Sequence, residues 1–313
     1  MEEFHDLDAL KAMRVIGLGG AGCNSIDRMV HTLFPGPRFI KADTDLQSLD
    51  PGSGSTIHLG KGKKNALGTG GDPELGYQAA LTARKEIEEQ LAGAEIVFIT
   101  CGMGGGTGSG ASLVVADIAK KLGALTLMIV SSPFPFEGSK KKKTALKYCE
   151  KLRNLADALI VIENAKLVSH CSRDISLNSA FLMADQTLID SVRSFSGILG
   201  QNTYINIDYA DVKSTLKSSG QAMFGYGEST GQDRAKQAIE SALNNPLISQ
   251  NDFINSKSLL LNIIGPADTS IQEISTVCEK IHDFSRKNDD LILGMDFRDN
   301  VKSLQVNLLA AGI

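Results

Sequence analysis

The chain has 313 residues, 42% of them apolar and 22% charged, a balance that fits a folded globular protein of two domains and excludes an extended disordered chain. With 32 basic against 36 acidic residues the net charge is −4, and Trp is absent, so neither an electrostatic nucleic-acid surface nor a base-stacking platform is expected. The five cysteines and five histidines are scattered without metal-ligand spacing, and Met1-Glu2-Glu3-Phe4-His5-Asp6 is no apolar leader; free thiols in a cytoplasmic protein, without a metal cluster or membrane insertion, are the expectation.

In chain order, apolar runs alternate with helical periodicity. Strands are predicted over Arg14–Leu18, Arg38–Ala42, Glu95–Thr100, Leu125–Val130 and Ala158–Ile162. Helices are predicted near Cys23–Phe34, Pro73–Leu91, Gly108–Leu122 and Ser139–Asn154. This rhythm predicts an α/β fold: a parallel sheet with helices on both faces and ligands outside the carboxyl ends of the strands. From Leu177 to Leu199 one long helix is expected, with Phe181, Ala184, Leu188, Ile189, Val192 and Phe195 at helical spacing and Gly197 and Gly200 at its end. Beyond it, strands at Leu259–Ile264, Leu291–Phe297 and Ser303–Ala310 and helices near Gln232–Leu243 and Ser270–Lys287 predict a smaller α+β domain. The expected division is 1–176, a connecting helix over 177–201, and 202–313. Because the sequence stops just after its last strand, a disordered tail carrying partner motifs is expected to be missing.

Two glycine clusters directly follow predicted strands: Gly17-Leu18-Gly19-Gly20-Ala21-Gly22-Cys23-Asn24 and Gly102-Met103-Gly104-Gly105-Gly106-Thr107-Gly108-Ser109-Gly110. Glycine lets backbone N–H groups turn to a ligand unobstructed, and the helix that follows adds partial positive charge, so each cluster is a phosphate site that needs no lysine. Alone, Gly17, Gly19 and Gly22 with Asp43 about 20 residues on also match a dinucleotide fingerprint, which keeps a Rossmann oxidoreductase as a rival reading. A second anion cradle fits a triphosphate gripped from two sides. No Gly-x-x-x-x-Gly-Lys-Ser/Thr segment occurs, which excludes a P-loop NTPase.

Gly104-Gly105-Gly106-Thr107-Gly108-Ser109-Gly110 resembles the signature loop of the tubulin/FtsZ family, and Phe98-Ile99-Thr100-Cys101-Gly102-Met103 ahead of it is similar to the FtsZ branch. The resemblance continues through Asp43-Thr44-Asp45-Leu46-Gln47-Ser48-Leu49, Gly68-Thr69-Gly70-Gly71-Asp72-Pro73-Glu74, Pro133-Phe134-Pro135-Phe136-Glu137-Gly138 and Asn206-Ile207-Asp208-Tyr209-Ala210-Asp211-Val212. It implies a GTPase that assembles head-to-tail with itself, takes part in cell division at the division site, and works with division proteins or a membrane adaptor. A filament scaffold with weak hydrolysis is the alternative.

By that resemblance the phosphates lie on Gly19, Gly20, Ala21, Gly22, Asp43, Gly70, Gly71, Asp72, Gly102, Gly104, Gly105, Gly106, Thr107 and Gly108. It also implies that Asn24 and Asn164 contact the base, Glu137 the ribose, and Phe181 and Asp185 the guanine. The chemistry agrees. One carboxylate accepts from guanine N1–H and N2–H but meets an acceptor at adenine N1. Asn206, Asp208 and Asp211 match the catalytic loop, which the resemblance implies acts on the GTP of the next subunit. Mg²⁺ is expected on the phosphates and water, with no all-protein cage. Asp43 and Asp72 stand where the family usually has asparagine, and Lys141 where it has arginine, so tighter Mg²⁺ dependence and weaker nucleotide affinity are expected.

Overall fold

The computed structural model describes residues 11–32, 37–50, 54–61, 68–169, 176–198, 204–205, 207, 209–217, 219–244, 250–285 and 291–313. The chain divides into two compact units, Met1–Ile189 and Asp190–Ile313.

The first unit is built on parallel strands β1 (Met13–Leu18), β2 (Arg38–Asp43), β3 (Ser55–His58), β4 (Ile96–Gly102), β5 (Leu125–Ser131) and β6 (Ala158–Ile162), in spatial order β3-β2-β1-β4-β5-β6. Every residue of β1 is buried, as a strand covered on both faces must be. The helices are α1 (Gly19–Thr32), α2 (Pro73–Thr82), α3 (Arg84–Leu91), α4 (Gly106–Lys121), α5 (Ser139–Arg153), α6 (Asn164–Ser169) and the part of α7 (Leu177–Ile198) up to Ile189. Alternate residues of β4 and β5, among them Val97, Ile99, Met128 and Val130, pack with Val114, Val115 and Ile118 of α4 in one core cluster.

Strand order reverses at β1, whose neighbours are β2 on one side and β4 on the other. At such a switch point the connections leave in opposite directions and open a crevice. β1 and β4 pair up to Leu18↔Cys101, so their carboxyl ends, and the two glycine clusters that follow, lie side by side. This is the feature of the fold that positions the site.

The second unit carries β7 (Gly220–Ser229), β8 (Ser258–Gly265), β9 (Leu291–Phe297) and β10 (Leu304–Ala311), ordered β7-β10-β8-β9 with only the β8–β9 pair parallel. Its helices are α8 (Tyr209–Leu216), α9 (Arg234–Leu243), α10 (Gln250–Asn255) and α11 (Ile271–Ser285). Ala238, Ile239 and Ala242 of α9 and Val277 and Ile281 of α11 share a core with Leu259, Leu261, Val306 and Leu308. Arg234 fastens α9 to α11 through Glu273, with Nε–Oε1 at 2.6 Å.

Several element boundaries differ from the sequence reading. The predicted helix over Pro73–Leu91 is two helices meeting at Ala83 (φ −90°, ψ 8°). α1 and α4 start at Gly19 and Gly106, inside the glycine clusters, because a glycine run hides the helical period that marks a start. β3 and β7 were not predicted. β7 reads GQAMFGYGES, where three glycines and the polar Gln221, Glu228 and Ser229 leave no β-branched signal. Cys23, Cys101 and Cys149 are buried free thiols, and burial pushes Cys23 up to about 12 and Cys149 up to about 11. Cys171 lies outside the described residues.

Candidate nucleotide site

The two glycine clusters meet. A methyl group on Gly19 (φ +71°) would sit 3.1 Å from the Gly108 amide nitrogen, and one on Gly108 would sit 2.6 Å from the Gly102 carbonyl oxygen. Only hydrogen at these positions lets the start of α1 lie against the start of α4. Both helices therefore aim their amino ends, with their unpaired N–H groups and partial positive charge, at one place.

That place is a cavity of about 580 Å³, within the usual range for a small-molecule site. Gly19, Gly20, Ala21 and Asn24 line it from α1, and Gly102, Gly105, Gly106, Thr107 and Gly108 from the β4–α4 connection. Thr107 is held from behind, its Oγ1 2.7 Å from Thr44 Oγ1. Gly105 has open space where a methyl would be, so a side chain there would project without any protein contact.

The far end of the cavity differs in chemistry. Glu137, Lys141, Asn164, Phe181 and Asp185 line it. Glu137 accepts from the Phe134 amide at 2.8 Å and from Lys141 Nζ at 2.9 Å, which fixes the Pro133–Gly138 turn at the foot of α5. Phe181 leaves the buried stripe of α7: Ala180, Ala184, Leu188, Ile189 and Val192 are buried, while Phe181 is 42% exposed with its edge to Phe134 at 5.0 Å. An aromatic face beside a cavity is a platform for a flat ring. Asp185, one turn on, accepts from Ser25 Oγ at 2.8 Å and is paired with Arg28. Burial pushes its carboxyl up from the ordinary range, while Ser25 and Arg28 pull it back down.

A nucleotide fits these residues on an observation independent of the glycines. Asn164 is 4% exposed and its Oδ1 has no hydrogen-bond partner, although it faces a cavity. A buried carbonyl oxygen without a donor is costly, and a ligand N–H would satisfy it.

The remaining expected residues fall elsewhere. Gly22 packs α1 on β4, since a methyl there would sit 2.6 Å from the Thr100 carbonyl oxygen. Gly104 (φ +94°) makes a left-handed turn, and its amide donates to Ser109 Oγ at 2.9 Å. Asp43 is buried and accepts from the Thr44 amide at 2.7 Å, so it turns back on its own loop; burial raises its pKa. In that orientation Asp43 does not serve as the ribose-binding acid of the dinucleotide reading. Gly70 and Gly71 form a positive-φ turn, and Asp72 caps α2 by accepting from the Glu74 amide at 2.9 Å. From that loop it is Thr69 that lines the cavity. Asp211 is exposed in the first turn of α8, in the second unit, while Asn206 and Asp208 lie outside the described residues.

Sequence reasoning missed Arg28, Thr69 and Asn178, which also line the cavity. Arg28 stands four residues after Asn24 on α1, the spacing of one helical face, and that signal was there to read.

Residues 12–172 match the family model described as the Tubulin/FtsZ family GTPase domain, and residues 220–313 that of the FtsZ family C-terminal domain. The chain belongs to the FtsZ family. The cell division protein FtsZ of Pseudomonas aeruginosa is 40% identical over 306 residues, covering 96% of this chain and 77% of that protein. FtsZ of Rickettsia typhi is 38% identical over 302 residues, covering 96% and 67%. Among solved structures, an empty FtsZ dimer from M. jannaschii has a TM-score of 0.86 at 37% identity, covering 96% of this chain and 88% of that one. CetZ2 from Haloferax volcanii, solved as a GTPγS-bound protofilament, shares the fold with a TM-score of 0.79 at 22% identity, covering 95% and 92%. The glycine-lined cavity thus lies in a tubulin-type GTPase domain, and the FtsZ assignment carries guanine-nucleotide binding with it. No helix among the described residues is long and apolar enough to cross a membrane.

Proposed function

We propose that this FtsZ-family chain binds GTP in the cavity, assembles head-to-tail with copies of itself in the cytoplasm at the division site, and hydrolyses GTP at the junction between subunits. The observation that carries the reading is the convergence of two helix amino ends on one cavity whose other end holds Phe181 and Asp185. The α1 and α4 amides would take the phosphates, Asn24 and Asn164 the base edge, Glu137 the ribose, and Asp185 the guanine N1–H and N2–H. Mg²⁺ bound to the phosphates would neutralise charge developing on them.

Phosphoryl transfer needs an oriented water, and among the described residues the cavity lining contains no carboxylate apart from Glu137 and Asp185, which face the sugar and base in this reading. Asp211, exposed at the start of α8, is the described carboxylate assigned to that task, delivered by the neighbouring copy together with Asn206 and Asp208. A surface that presents one end of a chain to the other end of the next builds an open filament. The division of labour follows: 1–176 for nucleotide, 177–201 as connecting helix, 202–313 for activation. That the M. jannaschii relative was solved as a dimer supports self-association.

Light scattering with GTP, with GDP and without nucleotide, read alongside phosphate release across a protein dilution series, tests this. Scattering is expected with GTP alone, and release per chain should rise with concentration. Release per chain that stays flat on dilution would overturn the shared site. Asp211→Ala should lower turnover by roughly 10²-fold or more while GTP affinity is unchanged.

A further inference from the structure

Asp185 is held by two side chains of another helix. Ser25 Oγ donates to its Oδ1 at 2.8 Å and Arg28 pairs with its Oδ2. Ser25 and Arg28 are three apart on α1 and so share a face. Asp27, beside them in sequence, points elsewhere: its Oδ1 takes Lys41 Nζ at 2.7 Å, and that ammonium is wholly buried. Arg28 reaches across to α7.

The arithmetic of acceptors gives this clamp a purpose. An ionised carboxylate offers about four lone-pair positions. Ser25 and Arg28 occupy one on each oxygen, which leaves one on each for a pair of donors arriving side by side, as guanine N1–H and N2–H do. A protonated carboxyl would instead aim a donor at those donors. The Asp185 side chain is only 16% exposed, and burial favours that unwanted neutral form. Arg28 opposes it with a full positive charge. Among the described residues the other charged groups lining the cavity, Glu137 and Lys141, are paired with each other.

We infer that Ser25 and Arg28 are positioning residues for base selectivity, which set the plane and the ionisation of Asp185 so that it discriminates guanine from bases with fewer or different donors. The inference rests on the reading of Asp185 as the group that contacts the base. It extends that reading to two residues on a different helix. Neither residue needs to touch the reacting phosphates, so the effect belongs to affinity and base choice rather than to the chemical step.

Competition binding on the full chain tests it, with GTP and ITP displacing a fluorescent guanine nucleotide between about pH 5.5 and 8. Inosine lacks the 2-amino donor, so the GTP-to-ITP affinity ratio reads the second hydrogen bond to Asp185. In wild type that ratio is expected near tenfold, with GTP affinity falling as Asp185 protonates at the acid end. Arg28→Met should shrink the ratio to about twofold and move the acid limb to higher pH, since the cation that favoured the ionised form is gone. Arg28→Lys should restore part of both, and Ser25→Ala should shrink the ratio without moving the limb as far. Asp185→Asn is the reference: if it leaves ratio and limb unchanged, the base-reading role of Asp185 itself fails. If it abolishes them while Arg28→Met and Ser25→Ala keep wild-type behaviour, the positioning role alone is overturned. Should Arg28→Met not fold, Ser25→Ala carries the same decision through the ratio.

Discussion

Asp43 is 3% exposed, and its carboxylate faces amides and hydroxyls: the Thr44 and Asp45 N–H groups, with Ser48 and Thr107 also donating to it. Those donors favour the charge, but burial outweighs them and holds the folded carboxyl above the ordinary carboxylate range. An acid with a raised folded pKa binds its proton more tightly when folded, so folding loses stability as pH rises from the unfolded value through the folded one. Asp43→Asn is therefore expected to raise the melting temperature at pH 7, with the advantage over wild type shrinking as pH falls toward 4. Thermal melts across that range decide it, and a constant difference would show that ionisation is not the cause. The sequence carried Asp43 to the right loop but to the wrong side of it, because loop periodicity says nothing about which way a side chain turns. Phe181 is the opposite case: helical spacing assigned it to the buried stripe, yet it is 42% exposed and lines the cavity.

At the scale of elements, the sequence was most informative where strands are covered on both faces. β1, β4, β5 and β6 are mostly apolar runs, broken only by Arg14, Thr100, Thr126, Ser131 and glycines, and the parallel sheet follows from them. It was least informative inside the glycine clusters, where two kinds of glycine look alike in one-letter code. Some pack helices. A methyl on Gly110 would lie 2.0 Å from the Pro73 carbonyl oxygen and 2.5 Å from the Tyr77 nitrogen, so α2 and α4 cross with no room for a side chain. Others border the cavity: Gly105, with φ −83°, has a backbone any residue adopts and empty space beyond. The two alanine variants should then fail in different ways. Gly110→Ala should cost about 3 kcal/mol or more in urea unfolding, as forced overpacking does. Gly105→Ala should stay within about 1 kcal/mol of wild type in unfolding, yet bind GTP roughly tenfold more weakly in titration. A destabilised Gly105→Ala protein with normal GTP affinity would reverse these assignments.

For the whole molecule, every described residue lining the cavity belongs to Met1–Ile189, whereas Asp211 belongs to Asp190–Ile313. In the proposed filament these are contributed by different copies. Two defective proteins should then complement each other: Asp185→Asn spoils the pocket of its own chain, Asp211→Ala the loop it lends. Mixed one to one, each nearly inactive alone, they should regain roughly a quarter of wild-type phosphate release, because one junction in four joins an intact pocket to an intact loop. No recovery on mixing would place both groups in one chain. Two-domain organisation was legible from the change of rhythm after the long helix, and the family from ordered motifs on both sides of it. The seam between the units was not, because Ile189 and Asp190 sit in mid-helix where hydrophobic spacing runs on unbroken.

Lys41 constrains how such a chain drifts over generations. Its ammonium is sealed from water between Asp27 and the Asp50 carbonyl. Replacing Asp27 alone leaves the buried ammonium without its carboxylate, at a cost of about 3–5 kcal/mol, whereas replacing Lys41 alone leaves a carboxylate that is 39% exposed and still reached by water. Exchanging both together for neutral residues of similar size would be tolerated. The order of loss is thus expected to be one-way: lineages that give up the lysine first can later drop the aspartate, while the reverse order passes through a valley that few cross.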